Sequence, residues 1–194
     1  MSAPLQLSDL PSVEEYAATR DALRAAVIAA KKARQVRIGE NVTLIFENRD
    51  TVKYQILEML RIEKTSDPAA IQEELDAYNP LIPAGSDWRA TMLVEFPDAE
   101  ERRVQLKYLR AVEHAVYARI GERRIAVVAD EDMERSDDEK TSAVHFLRFP
   151  VDADAKAALR AGAELAFGID HPRYRYETAI SEAAVRASLA GDLD

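Results

Sequence analysis

The segment "QVRIGENVTLIFENRDTVKYQILEMLRIEK", residues 35–64, decides the fold. Its first half predicts two short strands joined around Gly39–Asn41, because apolar and polar residues alternate from Val42 to Glu47 with the period of two that strands show. Its second half predicts a helix from Asp50 to about Lys64, in which apolar side chains recur every three or four positions. A hairpin that leads directly into a helix departs from the strict strand–helix–strand order of parallel sheets. It indicates the α+β class with antiparallel strands.

Helix signals lie on both sides of this segment. Upstream, Ser12 and Glu15 have the spacing of a capping box, which predicts a long N-terminal helix from about Ser12 to Arg34. Downstream, Asp67 at the cap and Pro68 at the first helical position predict the start of another helix. Further helices are predicted over residues 98–121, 152–162 and 181–190.

The remaining apolar runs predict strands, and we expect residues 42–47, 91–96, 124–129 and 143–149 to lie in one sheet. The fold class expected is α+β: a single domain over residues 1–194, with a mainly antiparallel sheet covered by helices and a long N-terminal helix. Residues 1–11 are expected to be a flexible N-terminus, and residues 130–141 an acidic loop.

Composition excludes several classes of function. The chain has no cysteine, which excludes disulfides, thiolate metal sites and a cysteine nucleophile. No basic and apolar leader begins the sequence, and no apolar run approaches the roughly 20 residues that span a bilayer. The net charge of −9 disfavours nonspecific binding to nucleic acid. We therefore expect a cytoplasmic, acidic protein that binds neither membrane nor nucleic acid.

Three residues form the first candidate site. His145 lies in a predicted strand, on a face that is otherwise apolar. Glu63 and Glu74 fall on the apolar stripes of two successive predicted helices. Two carboxylates and an imidazole facing the core suit a divalent metal ion or an acid–base pair. We therefore predict that Glu63, Glu74 and His145 converge.

Each of these residues also has a purely structural interpretation. A buried histidine is often held by local hydrogen bonds, and Glu63 stands at a helix end where the stripe leaves the core. Glu74 can pair with a neighbouring cation. The chain has no H-E-x-x-H motif to favour the metal site.

A second candidate site is the segment "IDHPRYRYE", residues 169–177. His171, Arg173 and Tyr174 alternate in an extended stretch that could receive an anionic ligand or stack on a base. The same alternation is typical of a half-exposed edge strand. Both interpretations stay open at the level of sequence.

Several segments together resemble a known bacterial family, domain of unknown function 3501. They include "KKARQVRIG" at 31–39, "EELDAYNPLIP" at 73–83, "ATMLVEFPDAEERR" at 90–103 and "GIDHPRY" at 168–174. The resemblance covers nearly the whole chain. It implies a gene often encoded beside a rubrerythrin and an iron–sulfur oxidoreductase of the heterodisulfide-reductase type, and hence a redox or peroxide-defence setting. It implies no catalytic residues.

Two functions follow from these observations. The first is a non-catalytic accessory or binding protein in a bacterial redox or peroxide-stress system, with the rubrerythrin or the iron–sulfur oxidoreductase as its partner. The alternative is a metal-dependent enzyme or metal-binding protein that uses the carboxylate and histidine site. We also expect a homodimer, since the predicted helices carry broad apolar faces, such as the one with Tyr16, Leu23 and Val27.

Overall fold

The computed structural model describes residues 3–129 and 140–193. The helices are α1 Val13–Lys32, α2 Arg49–Glu63, α3 Pro68–Tyr78, α4 Ala99–Tyr108, α5 Ala153–Arg160 and α6 Ala183–Gly191. The strands are β1 Gln35–Ile38, β2 Val42–Phe46, β3 Asp87–Val94, β4 Val116–Ile120, β5 Arg123–Ala126, β6 Val128–Ala129, β7 Val144–Pro150, β8 Leu165–His171 and β9 Tyr174–Ala179. Short 3-10 turns lie at Leu7–Asp9, Asn79–Leu81 and Val112–Ala115.

The strands form two antiparallel sheets. The first has the order β1-β2-β3-β7-β6, and the second has the order β5-β4-β8-β9. Every strand pairing in the described residues is antiparallel. The α+β class with mainly antiparallel strands is therefore confirmed.

The two sheets share one core, and an aromatic cluster marks its centre. The ring of Phe167 in β8 lies 4.8 Å from that of Phe46 in β2, 5.5 Å from Trp88 in β3 and 5.6 Å from Phe149 in β7. All four side chains are fully buried. Apolar residues at alternate positions of the strands fill the rest of this layer, as the period of two requires.

The opposite, outer face of the first sheet is covered by α2 and α3. Their apolar stripes form a second, smaller cluster that includes Ile56 of α2 and Leu75 of α3, both fully buried. Leu5 belongs to this cluster and is 3% exposed, and its backbone exchanges hydrogen bonds with the Asn79 side chain at 2.8 and 3.0 Å. The start of the chain, expected to be flexible, is thus docked on the helices at Leu5.

Local signals located most helix starts correctly. The capping box of Ser12 and Glu15 is present at α1, and Asp67 caps α3 with Pro68 at its first position. Helix α2, predicted to start at Asp50, begins at Arg49 instead, and Asn48 is its cap, because the Asn48 side chain accepts the hydrogen bond from the Thr51 backbone. Asparagine and aspartate are comparable caps, so the sequence pattern did not separate the two positions.

The long helix predicted over residues 98–121 is wrong. Helix α4 ends at Tyr108, Ala111 takes a left-handed conformation, and Val116 begins strand β4. Val104 and Tyr108 on α4 are 39% and 49% exposed. Of the β-branched residues at helical spacing, Val112 lies in the 3-10 turn, whereas Val116 and Ile120 lie in β4, a strand whose alternate positions are buried.

The prediction that four segments share one sheet is also partly wrong. Residues 123–126 form β5 in the second sheet, whereas Val128–Ala129 pair with β7 in the first. The chain therefore passes from one sheet to the other within residues 124–129.

The predicted acidic loop lies mostly outside the described residues. In the part of the chain that the structure describes, no helix is long and apolar enough to cross a membrane.

Candidate functional site

His145 lies on the inner face of the first sheet, as its alternation with Leu147 predicted. Its cross-strand partner is Met92, and its side chain is 5% exposed. The Nε2 atom lies 2.9 Å from the Ser142 carbonyl oxygen and 2.9 Å from the Thr141 hydroxyl. Because a carbonyl oxygen only accepts, this geometry requires a proton on Nε2.

The Thr141 hydroxyl joins this histidine to a carboxylate. It donates to Glu113 Oε2 over 3.0 Å, and that oxygen lies 3.9 Å from His145 Nε2. Glu113 comes from the 3-10 turn before β4, so the contact ties that turn to the start of β7. Since the Thr141 proton points to the carboxylate and not to the imidazole, His145 does not act as a base on the hydroxyl in this arrangement. Within the described residues, the three side chains link the turn before β4 to the start of β7.

Glu63 and Glu74 lie near each other but away from His145. Glu63 is exposed at the end of α2, and Glu74 is half-buried on α3. Burial, and secondarily the charge of Glu63, raises the pKa of Glu74. In the described residues, the Oε2 atom of Glu74 is buried without a hydrogen-bond partner.

The structure does not bring the three predicted residues together. The two glutamates lie on the helices that cover the outer face of the first sheet, whereas His145 faces the core between the sheets. Within residues 3–129 and 140–193, no group of three or more acidic or histidine side chains could hold a metal ion. Metal binding by these residues stays a prediction and does not enter the function proposed below.

The three residues of the second predicted site contact other parts of the chain. His171 Nε2 lies 3.1 Å from the Arg110 carbonyl oxygen, and the Arg173 guanidinium stacks 4.6 Å from the centre of the Tyr108 ring. Tyr174 is buried, and its hydroxyl donates to the Ile38 carbonyl over 2.7 Å. His171 ends β8, Arg173 lies in the turn, and Tyr174 begins β9, the edge strand of the second sheet. Binding of an anionic ligand or a base by these residues stays a prediction.

A cavity on the outer face of the first sheet is a different candidate site. It has a volume of about 230 Å³ and lies between the sheet and helices α1, α2 and α3. Its walls mix apolar with polar side chains, the combination typical of small-molecule sites. The lining residues are Lys31, Ile45, Glu47, Thr51, Val52, Gln55, Tyr78, Leu81, Thr91, Val144 and Phe146.

Glu47 places a carboxylate of fixed orientation in this cavity. Its Oε2 accepts from the Thr51 hydroxyl over 2.5 Å, and its Oε1 accepts from the Thr91 hydroxyl over 2.8 Å. One threonine lies on α2 and the other on β3, so the carboxylate is held from two elements. Lys31, at the end of α1, adds a positive charge to the same cavity. The site therefore offers a hydrogen-bond acceptor of fixed orientation, a cation and an apolar wall.

Sequence reasoning missed Glu47 because it looked like the polar end of an alternating strand. A signal was present in the alternation of the strand, because Glu47 lies on the same face as Ile45. In the structure, the helix that follows directly helps to cover that face. A carboxylate on a strand face covered by a helix must be compensated by hydrogen bonds.

The fold and the cavity define an α+β protein with two antiparallel sheets around one core and a ligand-sized space under its helices. The chain belongs to the family described as protein of unknown function DUF3501, whose model matches residues 4–193. This confirms the resemblance seen in the sequence segments. A crystal structure of a novel protein of unknown function from Burkholderia pseudomallei K96243 is 47% identical and has a TM-score of 0.93, covering 99% of this chain and 100% of that one. Among curated proteins, none matches the chain.

Proposed function

We propose that this protein is a non-catalytic binding protein of a bacterial redox or peroxide-stress system, and that it holds a small molecule in the Glu47 cavity. The observation that carries the binding role is the fixed carboxylate, which lines one partly enclosed space together with Lys31 and an apolar wall. The buried His145 supports a non-catalytic role, since its Nε2 is committed to Thr141 and Ser142.

The redox setting is supported by the gene neighbourhood that the family resemblance implies. A chain without cysteine does not exchange thiols itself, which suits an accessory protein beside redox enzymes. We expect its protein partner to be the neighbouring rubrerythrin or iron–sulfur oxidoreductase. Co-elution of the purified proteins in gel filtration tests this part, and separate elution at high micromolar concentrations of each contradicts it.

The chemistry of the cavity selects the ligand class. Glu47 favours an ammonium or another donor, Lys31 favours a carboxylate, and the apolar side chains of Ile45, Val144 and Phe146 favour a hydrocarbon body. A small zwitterion with an apolar side chain matches all three. Three probes separate these contributions: L-leucine carries both charges, n-butylamine carries only the ammonium, and butyrate carries only the carboxylate.

Titration of the ¹⁵N-labelled protein with the three probes tests the proposal by NMR. We expect L-leucine to shift the amide signals of Thr51, Gln55 and Thr91 most and n-butylamine to shift them less. Butyrate should shift them least, because the Glu47 carboxylate repels its carboxylate and opposes the attraction of Lys31. Lys31→Met should weaken the binding of L-leucine but not the binding of n-butylamine, because the substitution removes only the cation. Amide signals at the cavity that respond to none of the probes up to ~10 mM, far above the affinities usual for metabolites, contradict the proposal.

Glu47→Gln should abolish the response to both amines. A matched control is Glu95→Gln, because Glu95 also accepts from a threonine hydroxyl, that of Thr43 at 2.6 Å, but does not line the cavity. Loss of binding in both variants would attribute the effect to a disturbed sheet and not to the cavity.

A further inference from the structure

A second, larger cavity lies between helices α1 and α2, and residues 8–11 add a third wall to it. Its volume is about 850 Å³, within the range of roughly 300–1,000 Å³ that small-molecule sites occupy. Some of its lining residues, such as Thr19 and Ala22, are exposed, so a ligand can enter from solvent. The cavity shares no lining residue with the Glu47 cavity. It is therefore a separate candidate site.

Apolar side chains form the floor of this cavity. Val27 of α1 is 5% exposed and Leu57 of α2 is 3% exposed, whereas Leu10 and Leu23 are half-buried. Such a floor favours the hydrocarbon part of a ligand, because binding removes apolar surface from water on both sides. The apolar face of α1 from which we predicted a homodimer thus lines this cavity, and association into a homodimer stays a prediction.

An anchor at Glu58 fixes the two helices that form the main walls. Tyr16 donates to Glu58 over 2.5 Å, and Arg20 binds the same carboxylate with Nε at 2.7 Å and a second nitrogen at 2.9 Å. The Glu58 side chain is only 15% exposed, and hydrogen bonds between charged groups are the strong ones. The walls are therefore held in place without a ligand, so binding does not have to order them.

Two polar side chains of the cavity lack a protein partner. Lys53 and Tyr54 follow each other on α2 and are both half-buried. Within residues 3–129 and 140–193, neither side chain forms an ion pair or a hydrogen bond. A half-buried ammonium gives up part of its hydration, which costs free energy unless another group replaces the water. A carboxylate on a ligand would accept hydrogen bonds from both side chains.

The carboxylates along the cavity are stabilised by the protein itself. Asp9 pairs with Arg49 at 2.8 Å, and Glu15 accepts from the Ser12 backbone over 2.9 Å in the capping box of α1. Asp50 is exposed in the first turn of α2, where water and the helix dipole favour a negative charge. These acidic groups do not require a cationic ligand. The unpaired ammonium on α2 is left to select the charge of the ligand.

We propose that this cavity binds the anion of a medium-chain fatty acid, with its carboxylate on Lys53 and Tyr54 and its hydrocarbon chain along the apolar floor. A carboxylate is favoured over a neutral or cationic head group because it accepts hydrogen bonds and also offsets the lysine charge. The part of α1 that lines the cavity from Thr19 to Ala30 is roughly 16 Å long at 1.5 Å per residue, which suits an extended acyl chain.

Three probes that share one chain length test the choice of head group. Decanoate is anionic, 1-decanol is neutral and decyltrimethylammonium is cationic. The ¹⁵N-labelled protein is titrated with each probe below its micelle concentration, and the amide signals of Val27 and Leu57 are followed by NMR. We expect decanoate to bind most tightly and the cation most weakly. Equal affinities, or tighter binding of the cation, overturn the carboxylate assignment, and the absence of a saturable response to decanoate overturns the site.

Substitution of the two polar residues tests their role. Lys53→Met should raise the dissociation constant of decanoate about tenfold and leave that of 1-decanol unchanged, because it removes only the charged donor. Tyr54→Phe keeps the ring and should weaken decanoate about threefold. Lys32→Met is the matched control, since Lys32 is an exposed lysine on α1 that does not line the cavity. Equal effects of Lys53→Met and Lys32→Met on decanoate binding overturn the proposal.

Filling the cavity tests the position of the hydrocarbon chain. Ala26 is exposed and lines the cavity, whereas its neighbour Ala25 is exposed and does not. Ala26→Trp should abolish the binding of both decanoate and 1-decanol, because the indole occupies the space over the apolar floor. Ala25→Trp should leave both affinities unchanged. Decanoate binding that survives Ala26→Trp, or that is lost equally in the two variants, contradicts binding in this cavity.

Discussion

Arg34 and Asp192 form a buried ion pair that joins the first hairpin to the C-terminal end of the chain. The guanidinium lies 2.5 Å from the carboxylate, and Arg34 as a whole is 3% exposed. The same guanidinium donates to the carbonyl oxygens of Phe46 and Glu47, both at 2.9 Å, and to the Ser188 hydroxyl at 2.8 Å. Burial raises the pKa of Asp192, although Arg34 acts in the opposite direction. The pair thus fixes α6 against the sheet that carries the Glu47 cavity.

Arg34→Met should destabilise the protein strongly at pH 7. The substitution keeps an apolar side chain of similar length but leaves Asp192 buried without its cation, which typically costs about 3–5 kcal/mol. The loss should shrink at acidic pH, where Asp192 is protonated and needs no cation. Urea unfolding at pH 7 and pH 4 measures both values. Arg37→Met, at an exposed position on the next strand, is the control and should change stability by less than about 0.5 kcal/mol.

Thr141→Val should weaken the tie between the 3-10 turn and β7. Valine has nearly the same shape as threonine but lacks the hydroxyl that links Glu113 to His145, and losing a buried hydrogen bond costs about 1–3 kcal/mol. Thr141→Ser keeps the hydroxyl and should recover most of the loss. Thermal unfolding of the three proteins provides the measurement. Equal stability of the valine variant and the wild type would show that this hydroxyl does not support the fold.

Gly39→Ala should be far more harmful than Gly162→Ala, although both glycines have positive φ, +64° and +93°. At Gly162 an added Cβ meets nothing within 4 Å, so only the left-handed backbone is strained, at about 1–2 kcal/mol. At Gly39 the Cβ would lie 2.7 Å from the Tyr174 hydroxyl and 2.7 Å from the Tyr176 ring, which adds a steric cost of about 1–3 kcal/mol. Chemical unfolding of both variants checks the difference. Equal losses would contradict the close packing of β9 against the first hairpin.

Glu74→Gln should stabilise the protein at pH 7, because burial raises the pKa of Glu74 and its charged form is therefore disfavoured in the folded state. A carboxyl group whose folded pKa is raised contributes its stability below the unfolded pKa of about 4.3, and that contribution is lost as the pH rises through the folded pKa. Glutamine carries no charge at either pH, so its advantage should disappear near pH 4. Unfolding midpoints at pH 4 and pH 7 provide the test. Glu73→Gln, at an exposed position beside it, is the control, and a gain of the same size there would refute burial as the cause.

Much of the local structure could be predicted from the sequence. The capping residues Ser12 and Asp67, the hairpin at Gly39–Asn41 and the inward direction of His145 depend on neighbours within a few positions. Caps, tight turns and side-chain alternation are set by short-range hydrogen bonds and sterics, which a local pattern records. The same reasoning failed between Tyr108 and Gly121, because β-branched residues at helical spacing fit a strand equally well.

The sequence by itself determined the α+β class, the starts of α1 and α3, and a buried histidine in β7. Only the tertiary structure decided that residues 124–129 divide between two sheets, that Thr141 reaches Glu113 across 28 positions, and that Glu47 lies in a cavity under three helices. These features depend on which distant segments pack together, and that choice follows from the burial of the whole apolar surface and not from any local pattern. Glu63, Glu74 and His145 illustrate the difference, because each side chain has a local signal, but the sheet between them determines which can meet.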